Sequence, residues 1–173
     1  MTSLRQLGNQ QVGWEIRGFL ARDVVLTFGG EQVGAVHVTD AGGRTAVATC
    51  ADGRWQFRVE DMGGSRISLA RVTAVDAQGK ETLAPAGELA LKRMLSGRLT
   101  MADGSAFRWK VEPKSTEWVE DRTNVQYMRL ARTHDKKGIV VMAPAVAASS
   151  HVPVLALLGV YLTLLVMILS SRR

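Results

Sequence analysis

The chain has 173 residues, of which 46% are hydrophobic and 22% charged, with a net charge of +6 and a pI near 10.0. That size and balance leave room for one domain with a substantial core and exclude a disordered chain. Cys50 is the single cysteine, which excludes an internal disulfide and a zinc cluster built on thiolates.

Residues 1–12 read as a polar N-terminal segment, and Met1 through Gln11 lacks the apolar stretch of a secretory signal, so an intracellular domain is expected. From Trp14 to Met142 the pattern is period two with turn residues every eight to twelve positions, the mark of many short antiparallel strands. Trp14-Glu15-Ile16-Arg17 opens the series. Val24 to Phe28 runs into Gly29-Gly30, Val33 to Val38 into Asp40-Ala41-Gly42-Gly43, and Arg44 to Cys50 into Asp52-Gly53. Trp55, Phe57 and Val59 then alternate with Arg54, Gln56, Arg58 and Glu60, which marks a strand with one wet face. Arg66 to Val75 follows the Met62-Gly63-Gly64-Ser65 turn.

Glu88 to Leu95 has the propensity of a short helix, but Gly87, Gly97 and the strand rhythm on both sides favour a strand. Leu89 to Leu91, Leu99 to Met101, Ala106 to Val111, Asn124 to Arg132 and Ile139 to Met142 bring the expected number to eleven or twelve strands within a β-barrel domain over 13–143. A small-residue linker, 144–151, leads to a hydrophobic helix over 152–170. From Val152 to Leu169 no charged side chain appears, and Pro153 stands where a first helical residue would, behind Ser149 and Ser150 as caps. Arg172 and Arg173 follow, where cations complement the helix dipole.

A helix apolar on every face is either a membrane span or one enclosed by protein. Eighteen residues at about 1.5 Å each reach about 27 Å, marginal for a bilayer core and ample to cross a small barrel. A sheet of about a dozen strands closes on an interior too wide for its own side chains, and such a helix would fill it.

The layout carries a resemblance. Repeated Asp-Gly turns followed by aromatic and basic alternation, at Ala51 to Arg58 and Ala102 to Lys110, lead to an Ala/Pro-rich link and then Leu157-Leu158-Gly159-Val160-Tyr161-Leu162. Over Trp14 to Leu169 the chain resembles bacterial members of the tubby-like superfamily, which includes LURP-one-related proteins and phospholipid scramblases. The resemblance implies a mainly β fold: a closed antiparallel barrel of about 11–12 strands around a buried hydrophobic C-terminal helix. It implies a non-enzymatic protein that interacts with lipid or with a protein partner, in the cytoplasm or associated with the membrane. The alternative is a tail-anchored membrane protein with a cytosolic all-β interaction domain.

No catalytic residue, cofactor or metal site is expected. His37, His134 and His151 fall in separate segments without ligands at metal spacing. Glu112, Glu117, Glu120 and Asp121 with Lys114 and Arg122 read as a solvated loop with surface ion pairs. Ser149-Ser150-His151 reads as helix capping, and the Gly-Gly pairs read as hairpin turns. Trp55 and Trp109 read as barrel core. The Lys and Arg residues are scattered, as on a solvated face, and neither nucleic-acid binding nor oligomerisation is expected. One candidate contact with anionic surfaces remains: Arg54, Arg58, Arg108 and Lys110 all face outward and form a single patch if the two Asp-Gly hairpins are neighbours.

Overall fold

The computed structural model describes all residues except 9, 19–21, 94, 95, 172 and 173. The expected dipole contact of Arg172 and Arg173, and the Met94-Leu95 end of the ambiguous segment, lie outside the described residues.

Twelve strands form an up-and-down meander: β1 (Gln11–Arg17), β2 (Asp23–Phe28), β3 (Glu31–Val38), β4 (Thr45–Cys50), β5 (Gly53–Val59), β6 (Arg66–Val75), β7 (Glu81–Lys92), β8 (Ser96–Met101), β9 (Ala106–Val111), β10 (Ser115–Glu120), β11 (Gln126–His134) and β12 (Lys137–Met142). Each strand pairs antiparallel with its sequence neighbours, and β12 returns to β1 through Gln11 opposite Val141 and Glu15 opposite Lys137. The barrel is closed, so no edge strand is left for another chain to extend along its wall.

The alternation read in the sequence is the alternation of burial. Trp55, Phe57 and Val59 point inward while Arg54 and Arg58 are exposed, and Trp14, Trp109 and Trp118 are likewise buried. The segment over 81–92 is strand throughout, because Leu89 and Leu91 alternate inward with Ala90 and Lys92 outside. The acidic stretch around Pro113 departs from expectation. Instead of a loop across 112–122, Ser115–Glu120 is strand β10, and Trp118 and Val119 are both buried. A bulge between those two residues against β11 puts adjacent side chains on one face and breaks the period-two signal.

Helix α1 (Val152–Ser170) runs through the barrel. Every residue from Val152 to Leu162, and Leu164 and Leu165, is buried. Its neighbours lie around the circumference: Leu157 reaches Gly34 on β3, the Tyr161 ring lies 5.5 Å from Phe57 on β5, and Gly159 abuts Leu130 on β11 and Trp118 on β10. Each large side chain so buried contributes about 1.5–3 kcal/mol relative to exposure.

The polar N-terminal segment also contributes to the core. Leu4–Gln6 forms a 3-10 turn whose Leu4, together with Leu7, is buried in the main cluster. Ser3 Oγ donates to Asp52 Oδ1 at 2.5 Å, the Leu4 N–H donates to Asp52 Oδ2 at 3.1 Å, and Arg5 Nε donates to Ala148 O at 3.0 Å. These bonds tie the turn to the end of the barrel where α1 begins.

Candidate functional site

In a meander alternate hairpins share one end of the barrel. The hairpins after β2, β4, β6, β8 and β10 therefore lie at the end where α1 begins, and those after β1, β3, β5, β7, β9 and β11 at the end where it emerges.

The four basic residues singled out in the sequence do not form one patch. Arg54 and Arg58 stand on β5 and Arg108 and Lys110 on β9, with β6, β7 and β8 between them. The similar hairpins are four strands apart in the wall, because a meander places strands beside their sequence neighbours and not beside their look-alikes. Two of the charges are also already engaged: Arg54 Nη2 lies 2.7 Å from Glu81 Oε1, and Arg108 Nε lies 3.1 Å from Asp121 Oδ1. Arg58 sits between Thr45 and Ser68, and Lys110 between Ser96 and Glu117.

The two Asp-Gly hairpins instead share an end and a role. Asp52 holds the N-terminal turn, and Asp103 meets the start of α1, with its Oδ2 3.1 Å from His151 Nε2. Ser105 Oγ lies 3.1 Å from the same nitrogen, and Phe107 packs its edge against the imidazole at 5.3 Å between ring centres. One nitrogen facing both the hydroxyl and the carboxylate is a clamp; a nucleophile-base relay needs the two ring nitrogens to face different partners. Hydrogen bonds from the Ser105 N–H and hydroxyl hold the Asp103 carboxyl below its ordinary pKa, with a smaller contribution from His151. The capping expectation changes accordingly. His151 is the residue before the helix and caps it with no side-chain bond, while Ser149 Oγ accepts the His151 N–H at 3.3 Å.

Among the described residues no group of three His, Cys, Asp or Glu side chains could hold a metal ion. Cys50 is buried, and desolvation raises its thiol pKa to about 11, so it is a core residue and not a nucleophile at neutral pH.

The sequence carries no local sign of the end where α1 emerges. Burial of the helix stops after Leu165; Val166 is 42% and Leu169 39% exposed. Met62, at the tip of the β5–β6 hairpin, is 92% exposed. Leu165, Leu169 and Met62 line a groove of about 190 Å³ with Arg44, Asp61 and Gly42. Around this apolar lip stand Arg22, Arg44, Lys92, Arg93, Lys114 and Lys136, and none of the six has an ion-pair partner among the described residues. Asp40 and Asp61 turn back into their own hairpins: Asp40 Oδ1 accepts the Thr45 N–H at 2.8 Å, and Asp61 Oδ1 accepts the Ser65 and Arg66 N–H groups at 2.9 Å.

No protein-family model matches the chain, and no curated protein matches it. Among solved structures it is similar to the X-ray structure of a protein from Arabidopsis thaliana, with a TM-score of 0.57 and 13% identity over 91% of this chain and 93% of that one. At that identity the likeness is one of fold.

Proposed function

We propose that the chain is a tubby-like, LURP-one-related barrel that works by surface contact with lipid or protein and not by catalysis. The observation that carries the reading is the position of α1. The interior of a barrel, where proteins of this shape keep a ligand or a reaction centre, is taken up by the chain's own helix, so recognition falls to the outer surface. The likeness in fold to the plant protein over nearly the whole of both chains supports the same architecture. On this reading the protein is cytoplasmic or peripheral to a membrane.

A second reading keeps α1 as a tail anchor, because Val152–Ser170 is long and apolar enough to cross a bilayer. Carbonate extraction of membranes from cells making the full chain, or the chain lacking residues 152–173, separates the two. The core-helix reading expects the full chain to be released from membranes and the truncated chain to be insoluble or degraded. The anchor reading expects a carbonate-resistant full chain and a soluble, folded truncation.

A further inference from the structure

From Val166 onward α1 is only partly covered: Val166 and Leu169 are exposed, while Met167 and Ile168 still pack against the core. Counted with the strand residues that flank each hairpin, the end where α1 emerges carries nine Lys and Arg residues against six carboxylates among the described residues, and six of those cations have no ion-pair partner there, while the opposite end has the reverse character. Glu31, Asp52, Asp76, Asp103 and Asp121 stand at the opposite hairpins against Lys80 and Arg122. The barrel is therefore polarised along its axis, acidic where α1 begins and basic where it emerges. The basic end also presents an apolar lip, formed by Met62, Val166 and Leu169. A flat surface combining negative charge with an accessible hydrocarbon layer complements this end: cations meet head groups while short apolar groups enter the acyl boundary. A protein partner would need an acidic rim around an apolar pocket, whereas any patch of anionic bilayer offers both features.

We infer that the protein docks end-on to anionic bilayers through the end of the barrel from which α1 emerges, with Met62, Val166 and Leu169 entering the interface and Lys92, Lys114 and Lys136 among the residues that meet head groups. This rests on the reading of α1 as a core helix, since a spanning helix would leave the barrel at the same point for a different reason. The axis of the barrel then stands upright on the membrane, and the acidic end, with the N-terminal turn, faces the cytoplasm. Binding weakens as salt rises, since exposed charges carry much of it.

The test uses the full chain and sedimentation with phosphatidylcholine vesicles made with or without phosphatidylserine. Three sets of changes are compared: Met62→Ser with Leu169→Ser; Lys92→Gln with Lys114→Gln and Lys136→Gln; and, on the barrel wall, Arg54→Gln, Arg58→Gln, Arg108→Gln and Lys110→Gln together. All residues in the first two sets are exposed, so each variant is expected to keep the parent's thermal midpoint. The expected result is binding to the phosphatidylserine vesicles only, lowered about tenfold or more by each of the first two sets and left nearly intact by the third. In addition, a Met62→Trp probe shifts its emission to the blue on binding. Equal binding to both vesicle types, no binding to either, or loss by the wall set alone overturns the inference. None of those results disturbs the core-helix reading, whose own failure shows as a folded truncation.

Discussion

The Tyr161 hydroxyl, in the middle of α1, donates a buried 2.6 Å hydrogen bond to the carbonyl oxygen of Gly43 across 118 positions of sequence. In the sequence this tyrosine interrupts an apolar run without apparent cause. In the barrel it fixes both the depth and the rotation of α1, and it satisfies a carbonyl of the β3–β4 hairpin that water does not reach. Burial holds the phenol pKa far above its ordinary value, so the group stays a donor at any pH at which the protein is handled.

Tyr161→Phe removes that donor and leaves the Gly43 carbonyl unpaired. A stability loss of about 1–3 kcal/mol is expected in detergent-free denaturant titration, with the fold retained. No loss would mean that the bond contributes nothing to holding α1 in register.

Gly159 faces Leu130 and Trp118; a Cβ there would lie 2.9 Å from Leu130 Cδ2 and 3.2 Å from Trp118 Nε1. The Leu130 side chain can give way to a methyl group, so Gly159→Ala is expected to cost little. Gly159→Leu overpacks a closed interior and is expected to cost about 1–3 kcal/mol or more, read from the shift in the unfolding midpoint. A helix in lipid would accept the leucine.

Much of the fold was legible because period-two burial and tight-turn residues are local signals, and a run of eighteen apolar residues stands out wherever it lies. What escaped depended on non-local geometry. Trp118 and Val119 are adjacent and both inward because of a bulge, so β10 gave no alternation to read. Leu4 and Leu7 are isolated among polar neighbours and become core only because the turn folds over the barrel end. The basic candidates Arg54 and Arg108 were linked by similarity of sequence, whereas their distance is set by strand order. The basic, apolar end combines residues from six hairpins and the end of α1, and only the count of strands assigns them to one side.

Gly138 on β12 lies opposite Trp14 on β1, and the indole occupies the space that a side chain at 138 would need. A Cβ there would collide with the Trp14 ring and with the Ala131 carbonyl oxygen, which as backbone cannot swing away. Gly138→Ala is therefore expected to be severe, on the order of 3 kcal/mol or a failure to fold, at the seam where the barrel closes. A thermal midpoint unchanged from the parent would contradict this packing.

The Asp103 clamp makes a prediction about acid. Its folded-state pKa lies below the ordinary value, so the stability it contributes is fully present above about pH 4 and is lost as pH falls through the lowered folded value. Asp103→Asn should remove that part of the acid dependence and flatten the low-pH limb of a stability profile followed by tryptophan fluorescence. A variant whose limb superimposes on the parent's would show that the carboxylate does not anchor the start of α1.

The central claim, that α1 is the core of the barrel, is tested most directly by native-state hydrogen exchange on the full chain in detergent-free solution. If α1 is the core, the amides from Leu155 to Leu165 exchange only through global unfolding, with the same opening free energy as the inward-facing centres of β3, β5 and β11. Rapid exchange of those helix amides while the strands stay protected, or a chain that stays in solution only with detergent, would contradict it.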